Sequence, residues 1–203
     1  MAASNTLTRK RPDRPSKIYP ASTRMSYEVD ITANRQCVAV DSGALRQAVL
    51  QSLSIESVAE AVLSVSLVDS ATIRVINRNH LQHDYPTDVL SFQLDWTHPE
   101  RESAGCGADD RSAGAHIEGE IIVSVEYAQS AAERLDWELQ SELTLYVIHG
   151  MLHICGYDDL DPAERQIMRA REAAVFSQLG LPTIPRHDDA VVQSSECRQD
   201  ASE

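Results

Sequence analysis

A short run near residue 150 holds the side chains best suited to chemistry. His149 and His153 lie four residues apart, in a stretch from 141 to 155 that has a broad apolar pattern and no proline. This pattern predicts a helix, and residues four apart share one face of a helix. Both imidazoles can therefore converge on one metal ion.

The residues that follow supply a candidate third ligand. Gly156 stands where a left-handed residue would end the helix, which would bring Asp158 and Asp159 back toward the histidine face. Either carboxylate could bind the ion, and the other could support a histidine from outside. Cys155 is better interpreted as a small buried apolar residue, because no cysteine lies at the spacing of a zinc finger. Three ligands on one side would leave the metal open to substrate, as in catalytic sites.

This set of ligands favours hydrolysis. A divalent ion lowers the pKa of its bound water from near 16 toward roughly 7 to 9 and stabilises charge on a phosphodiester under attack. Two histidines and an aspartate suit zinc in tetrahedral geometry, and they also suit manganese or ferrous iron. The metal-bound water is thus the predicted nucleophile, and the residues alone leave the metal undecided.

Three segments together resemble the YbeY family of bacterial endoribonucleases. The family signature has three histidines with Gly-Tyr-Asp in its second gap, and residues 149–159 match it except at the last histidine, where Asp159 stands. Pro86 to Phe92, which reads Pro-Thr-Asp-Val-Leu-Ser-Phe, and Gly119 to Ser124 resemble two further family segments in the same order. The similarity covers about residues 27–181.

The resemblance implies roles for particular residues. It assigns His149, His153 and Asp159 to the metal, with zinc as the expected ion, because Asp158 matches the family's own aspartate. The metal-bound water could suffice for RNA cleavage; from the residues themselves, Glu120 and Asp158 are weaker candidates for proton transfer, and the sequence does not choose between them.

A second departure concerns the contact with RNA. The family usually carries an arginine five residues before the proline of the Pro-Thr-Asp segment, and this chain has Leu81 there. Arg74 and Arg78, on the predicted preceding helix, are candidate replacements for RNA binding. Ordinary solvated helix arginines are the competing interpretation.

The order of elements predicts an α+β fold: a single domain with a small mixed sheet packed against helices, and a metal-site helix at the cleft. Three regions are expected, namely a flexible basic extension at 1–24, the enzyme domain at 25–186, and an acidic flexible tail at 187–203. The long Gly-, Ser- and Asp-rich interval 95–118 is expected to be a mobile loop. Predicted strands are 27–31, 61–68, 89–94 and 120–125, and predicted helices are 42–53, 71–81, 125–135, 137–155 and 162–179.

Taken together, these features indicate a metal-dependent endoribonuclease. The resemblance implies cleavage of single-stranded RNA in late ribosome maturation, at the 3′ end of 16S ribosomal RNA, with the small subunit as partner and the cytoplasm as location. A non-catalytic, zinc-stabilised ribosome-assembly factor is the main alternative, since the net charge of −13 repels phosphates. A zincin-like metallopeptidase is less favoured, because Gly150 stands where zincins have their glutamate base. No membrane span and no disulfide are expected.

Overall fold

The computed structural model describes residues 5–8, 25–34, 40–98 and 111–181. These residues form helices and strands in an interleaved order. In sequence they are β1 (Asn5–Thr8), β2 (Ser26–Ala33), α1 (Ser42–Ile55), β3 (Glu60–Val68), α2 (Ser70–Leu81), β4 (Val89–Thr97), β5 (His116–Ser124), α3 (Val125–Leu135), α4 (Leu139–Ile154) and α5 (Pro162–Gln178).

The strands form one mixed sheet in the order β1-β4-β5-β3-β2. Strand β3 pairs in parallel with β2 and β5, and β1 pairs in parallel with β4. The β4–β5 pair is antiparallel, with a register shift between Gln93 and Asp95. A small mixed sheet packed with helices confirms the predicted α+β fold class.

The two faces of this sheet differ. Gly119 and Ile121 of β5 face α4: a Cβ added at Gly119 would lie 2.6 Å from Ile154 Cδ1, and one at Gly150 would lie 2.9 Å from Ile121 Cγ2. Because side chains alternate along a strand, Glu120 points to the opposite face. Its antiparallel partner Phe92 shares that opposite face.

Helix α4 is the centre of the core. Almost every residue from Glu142 to Ile154 is buried, because the helix has the sheet on one side and packs against α1, α3 and α5 elsewhere. Such a helix is enclosed on all sides, so a histidine on it is largely shielded from solvent. The two histidines of interest lie in its last two turns.

Side-chain caps fix where several helices begin. The carboxylates of Asp41, Asp69 and Asp161 and the hydroxyl of Ser124 each accept a hydrogen bond from a backbone N–H of the first turn of the following helix. In α5 the capping Asp161 is followed by Pro162, whose missing N–H and fixed φ suit the first helical position. The start of α5 is therefore well defined beside the candidate site.

Some elements differ from the sequence-based expectation. Strand β4 continues to Thr97 and β5 begins at His116, so the pairing of these strands takes up both ends of the predicted loop 95–118. The predicted mobility of its middle, 99–110, lies outside the described residues. Strand β1 was not predicted and falls inside the proposed extension 1–24, whose remaining residues, like the tail 187–203, are also outside the described part. The three-region division stays a prediction.

Within the described ranges, no helix combines the length and apolar character needed to span a membrane.

Candidate metal centre

The end of α4 and the loop after it bring three potential ligands together. His149 and His153 are 5% and 3% exposed, and their Nε2 atoms lie 3.1 Å apart. Asp159 Oδ2 is 3.9 Å from His149 Nε2, and Asp159 Oδ1 is 3.7 Å from His153 Nε2. Within the part of the chain that the structure describes, this is the one group of three such side chains with a ligand atom from each within 4.8 Å of the others.

The outer nitrogens of both rings have acceptors. His149 Nδ1 lies 2.5 Å from Glu172 Oε1, and His153 Nδ1 lies 3.0 Å from the backbone carbonyl oxygen of Tyr157. A ring that donates through Nδ1 keeps a lone pair on Nε2, which is the tautomer that metal ligands need. The arrangement therefore directs both Nε2 lone pairs at one point.

The donor set fits a divalent cation. Two Nε2 lone pairs at 3.1 Å repel each other, and the nearby Asp159 carboxylate adds negative charge, so a cation among the three relieves an unfavourable field. Burial, together with the neighbouring His149, lowers the pKa of His153 to about 4. His153 is therefore neutral near pH 7, as a metal ligand must be.

A helix stop places the carboxylate. Gly156 has φ of +90°, the left-handed conformation that the sequence predicted for it. The N–H of Gly156 donates to the His153 carbonyl, and the N–H of Tyr157 donates to the Leu152 carbonyl, which is the Schellman pattern. The chain thus turns back over the histidine face immediately after α4.

Asp158 and Asp159 have different positions in this loop. Asp158 Oδ1 accepts hydrogen bonds from the backbone N–H groups of Asp159 at 2.7 Å and Leu160 at 3.2 Å. Asp158 therefore shapes the turn, whereas Asp159 reaches the two rings. The structure brings His149, His153 and Asp159 together, and their assignment as ligands stays a prediction.

A buried polar network fixes the loop from below. The carboxylate of Glu56, fully buried at the end of α1, accepts hydrogen bonds from Arg171 Nε at 2.6 Å and from the Tyr157 hydroxyl at 3.1 Å. Burial and the adjacent Glu56 raise the pKa of Tyr157, so its hydroxyl stays protonated and donates. Arg111 covers the Tyr157 ring at 5.0 Å and donates to the Gly156 carbonyl. Tyr157 is held at its ring and hydroxyl, which fixes the carbonyl facing His153.

The sequence reasoning missed Glu172 and Glu56. Glu172 carried a readable signal, because it shares a face of α5 with Met168, Val175 and Phe176, all buried. A carboxylate at a core-facing position of an amphipathic helix needs a polar partner inside the protein. Glu56 carried no such pattern, since it is the residue at which α1 ends.

Other predicted residues lie elsewhere. Glu120 is on the sheet face opposite α4, so the structure does not bring it to the histidines. Arg74 and Arg78 are on α2, where Asp84 Oδ1 lies 2.9 Å from Arg74 Nε and 3.9 Å from Arg78 Nη1. Leu81 is the last residue of α2 and is half-buried.

Cys155, directly after α4, and Gly150 within it also bear on the predictions. Cys155 is free and fully buried, and burial raises the pKa of its thiol to about 12. This agrees with its interpretation as a small apolar residue. Gly150 packs on the sheet, where a Cβ would lie 2.9 Å from Ile121 and 3.2 Å from Val89. A side chain at position 150 would thus enter the core instead of reaching the cluster.

Comparisons with known proteins agree with this picture. A family model described as endoribonuclease YbeY matches residues 30–180. An endoribonuclease YbeY of Rhodopirellula baltica is 35% identical over 197 residues, covering 94% of this chain and 93% of the relative. One from Desulfitobacterium hafniense is 39% identical over 142 residues, covering 69% and 86%.

A solved structure is also similar, at a lower level. It is the solution structure of a Thermotoga maritima protein with 18% identity and a TM-score of 0.44, covering 87% of this chain and 99% of that one. The match over residues 30–180 includes every residue of the His149, His153 and Asp159 cluster and its support from Glu172 and Glu56. With a family model spanning most of its length and a relative similar from end to end, this chain belongs to the endoribonuclease YbeY family.

Proposed function

We propose that the protein is a metal-dependent endoribonuclease that cleaves single-stranded RNA during late ribosome maturation, processing the 3′ end of 16S ribosomal RNA. The observation that carries this proposal is the pair of Nε2 atoms 3.1 Å apart beside the Asp159 carboxylate, in a chain of the endoribonuclease YbeY family. The ribosomal step is inferred from the family resemblance.

His149, His153 and Asp159 would hold the ion. Zinc is the proposed metal, with manganese or ferrous iron as alternatives that the aspartate also suits. When bound, the ion supplies a Lewis acid for the phosphodiester and makes water a better nucleophile. Glu172 and the Tyr157 carbonyl fix the ring orientations, so the protein itself provides a rigid set of donors.

Asp158 is the proposed proton acceptor. It is next to Asp159 in the loop, and Oδ2 is the proposed acceptor atom, because Oδ1 accepts hydrogen bonds from the backbone N–H groups of Asp159 and Leu160. Glu120, the other candidate from the sequence, is on the far face of the sheet and is not proposed. The test of Asp158 is whether a substitution lowers the rate of cleavage while metal content stays the same.

Single-stranded ribosomal RNA and the small ribosomal subunit are the proposed partners, and the cytoplasm is the proposed location. Arg74 and Arg78 stay candidates for RNA contact, although the Asp84 carboxylate lies close to both and partly neutralises their positive charge. A divalent ion held by the cluster would attract phosphate locally, and screening limits the repulsion from distant acidic groups to about 8–10 Å at physiological ionic strength.

A non-catalytic, zinc-stabilised ribosome-assembly factor is the second candidate. The observations that favour it are Leu81 in place of the family's arginine and the net charge of −13. A zincin-like peptidase is disfavoured, because Gly150 lies against the sheet and leaves no room for a glutamate base.

The test combines metal analysis with RNA cleavage. The purified protein and His149→Ala are assayed on a single-stranded fragment of the 16S 3′ region and on the same fragment annealed to its complement. About one metal ion per chain, cleavage of the single strand only, and loss of both metal and cleavage in His149→Ala would support the proposal. Bound metal and ribosome binding without cleavage would favour the assembly factor, and cleavage retained in His149→Ala would exclude the metal mechanism.

A further inference from the structure

An exposed arginine is hydrogen-bonded to the loop that carries Asp159, the third candidate metal ligand. Arg165, in the first turns of α5, donates from Nε to the Asp159 carbonyl at 2.9 Å and from Nη2 to the Leu160 carbonyl at 3.4 Å. A guanidinium has five N–H donors, so these two bonds leave others for a ligand. The cation is therefore fixed in place and still accessible to solvent.

The geometry of α5 places this arginine along the candidate metal centre. Arg165 and Glu172 are seven residues apart, which is two helical turns, so they share a face of α5. Glu172 contacts the His149 ring from that face, and Arg165 contacts the backbone of Asp159. This face of α5 therefore lies beside the cluster, with Glu172 next to His149 and Arg165 next to Asp159.

The negative charge around the candidate metal centre favours a role for Arg165 in binding phosphate. Asp159 brings one negative charge to the cluster, and the chain as a whole has a net charge of −13. Arg74 is paired with Asp84 through its Nε. In an acidic chain, a phosphate that approaches the cluster needs a local positive charge, and arginine is the side chain best suited to phosphate oxygens.

We propose that Arg165 binds a backbone phosphate of the RNA strand beside the candidate metal centre. This inference rests on the proposed endoribonuclease function and adds a substrate contact to it. The RNA strand would then pass over the loop 158–160 and the start of α5.

The first experiment measures binding without relying on cleavage. Metal-loaded wild type, Arg165→Gln and Arg134→Gln are titrated with a single-stranded 2′-O-methyl oligoribonucleotide, which keeps the phosphate charges, over a series of salt concentrations. Arg134 is an exposed arginine of α3, so its substitution removes the same charge away from the loop. Glutamine keeps an N–H donor for the Asp159 carbonyl while removing the charge.

Arg165→Gln should weaken binding about fivefold to tenfold at low salt and reduce the slope of log affinity against log salt by about 0.7, the value for one phosphate contact on a single strand. Arg134→Gln should leave both quantities near wild type. Equal behaviour of the two variants would overturn the proposal. Loss of metal from Arg165→Gln would also overturn it, because the arginine would then be supporting the loop instead of binding RNA.

A gain of binding provides a second test that misfolding cannot imitate. Leu160 is 66% exposed beside Arg165, and Val62 is 49% exposed on the sheet face opposite α4. Leu160→Lys and Val62→Lys add the same charge, so only Leu160→Lys should tighten RNA binding and steepen the salt dependence. Equal gains would show a general charge effect and reject the proposed path.

Steady-state cleavage separates this inference from the function on which it rests. If wild type cleaves single-stranded RNA and Arg165→Gln raises KM several-fold with a smaller change in kcat, both proposals are supported. If wild type cleaves and the variant matches it in KM, the Arg165 inference fails and the endoribonuclease function stands. If metal-loaded wild type neither binds nor cleaves RNA, the proposed function fails and the inference fails with it.

Discussion

Glu172→Gln tests whether the hydrogen bond behind His149 tunes the metal site. Glu172 is 4% exposed, and its Oε1 lies 2.5 Å from His149 Nδ1. The glutamine side chain has nearly the same shape and can still accept the ring N–H, but it carries no charge. The substitution therefore removes the carboxylate's electrostatic effect on the ring and leaves the packing in place.

The expected magnitude follows from this contact. Removing a partner of this kind generally costs about 10- to 100-fold in metal affinity. Because glutamine keeps the hydrogen bond, we expect the lower end, about tenfold for zinc, which corresponds to about 1.4 kcal/mol. At saturating zinc, the stabilisation that the metal gives against unfolding should fall by this same amount.

The chain offers a matched control. Glu60 Oε2 lies 2.9 Å from His116 Nδ1, so it makes the same kind of carboxylate–imidazole pair on β3 and β5, away from the cluster. Glu60→Gln should leave zinc affinity within about twofold of wild type. Zinc affinity is measured by competition with a chromogenic chelator, and urea unfolding is followed with and without zinc.

Two results would refute this reasoning. Glu172→Gln with wild-type zinc affinity would show that the carboxylate does not influence the ion. Equal losses in Glu172→Gln and Glu60→Gln would show a general effect of removing negative charge from an acidic protein.

Three further predictions concern other parts of the site. Asp159→Ala should lose bound metal, whereas Asp159→His should keep zinc and bind manganese more weakly, because imidazole suits zinc better than manganese. Elemental analysis after dialysis measures the metal content of both variants. Full metal content in Asp159→Ala would remove Asp159 from the ligand set. Gly150→Ala should lower the free energy of unfolding by about 1–2 kcal/mol in urea, since the 2.9 Å approach to Ile121 outweighs the gain in helix propensity, and an unchanged midpoint would contradict the close packing. Tyr157→Phe should lower the free energy of unfolding by about 1–2 kcal/mol, measured by thermal unfolding, because Glu56 loses a buried hydrogen-bond donor. It should also weaken zinc binding several-fold, because the Tyr157 carbonyl that faces His153 is less firmly held. Wild-type zinc affinity in this variant would show that the hydroxyl does not support the site.

Local pattern was enough to predict most of the elements. Alternation in β2 and β3 and helical periodicity in α1 to α5 gave the elements and, for α3, both ends. The ends of β4 and β5 were missed, because the paired segments 95–97 and 116–119 hold only one large apolar residue each, Trp96 and Ile117, and resemble a loop when considered without their partner strand. Strand β1 was missed for the same reason, since four residues form a strand here only by pairing with β4.

The site shows the same limit more sharply. The spacing of His149 and His153 and the glycine after them were readable, because a helix and its stop are local features. The role of Glu56 could not be predicted locally, because it depends on contacts with Tyr157 and Arg171, which lie 101 and 115 positions further along the chain. Glu120 alternates with Gly119 and Ile121, which face α4, so its side chain lies on the opposite face of the sheet; this alternation is a local feature, but which face carries the histidines is not.

The buried network of Glu56, Arg171 and Tyr157 affects the order in which the protein is completed. The potential ligands and Glu172 all lie within residues 149–172, so little loop-closure entropy opposes their meeting once α4 and α5 form a hairpin. The orientation of the Tyr157 carbonyl, in contrast, depends on Glu56, which reaches this hairpin only when the α1 end of the domain has docked. A chain with only its helical hairpin formed would hold metal loosely, and tight metal capture would mark a chain whose folding is complete.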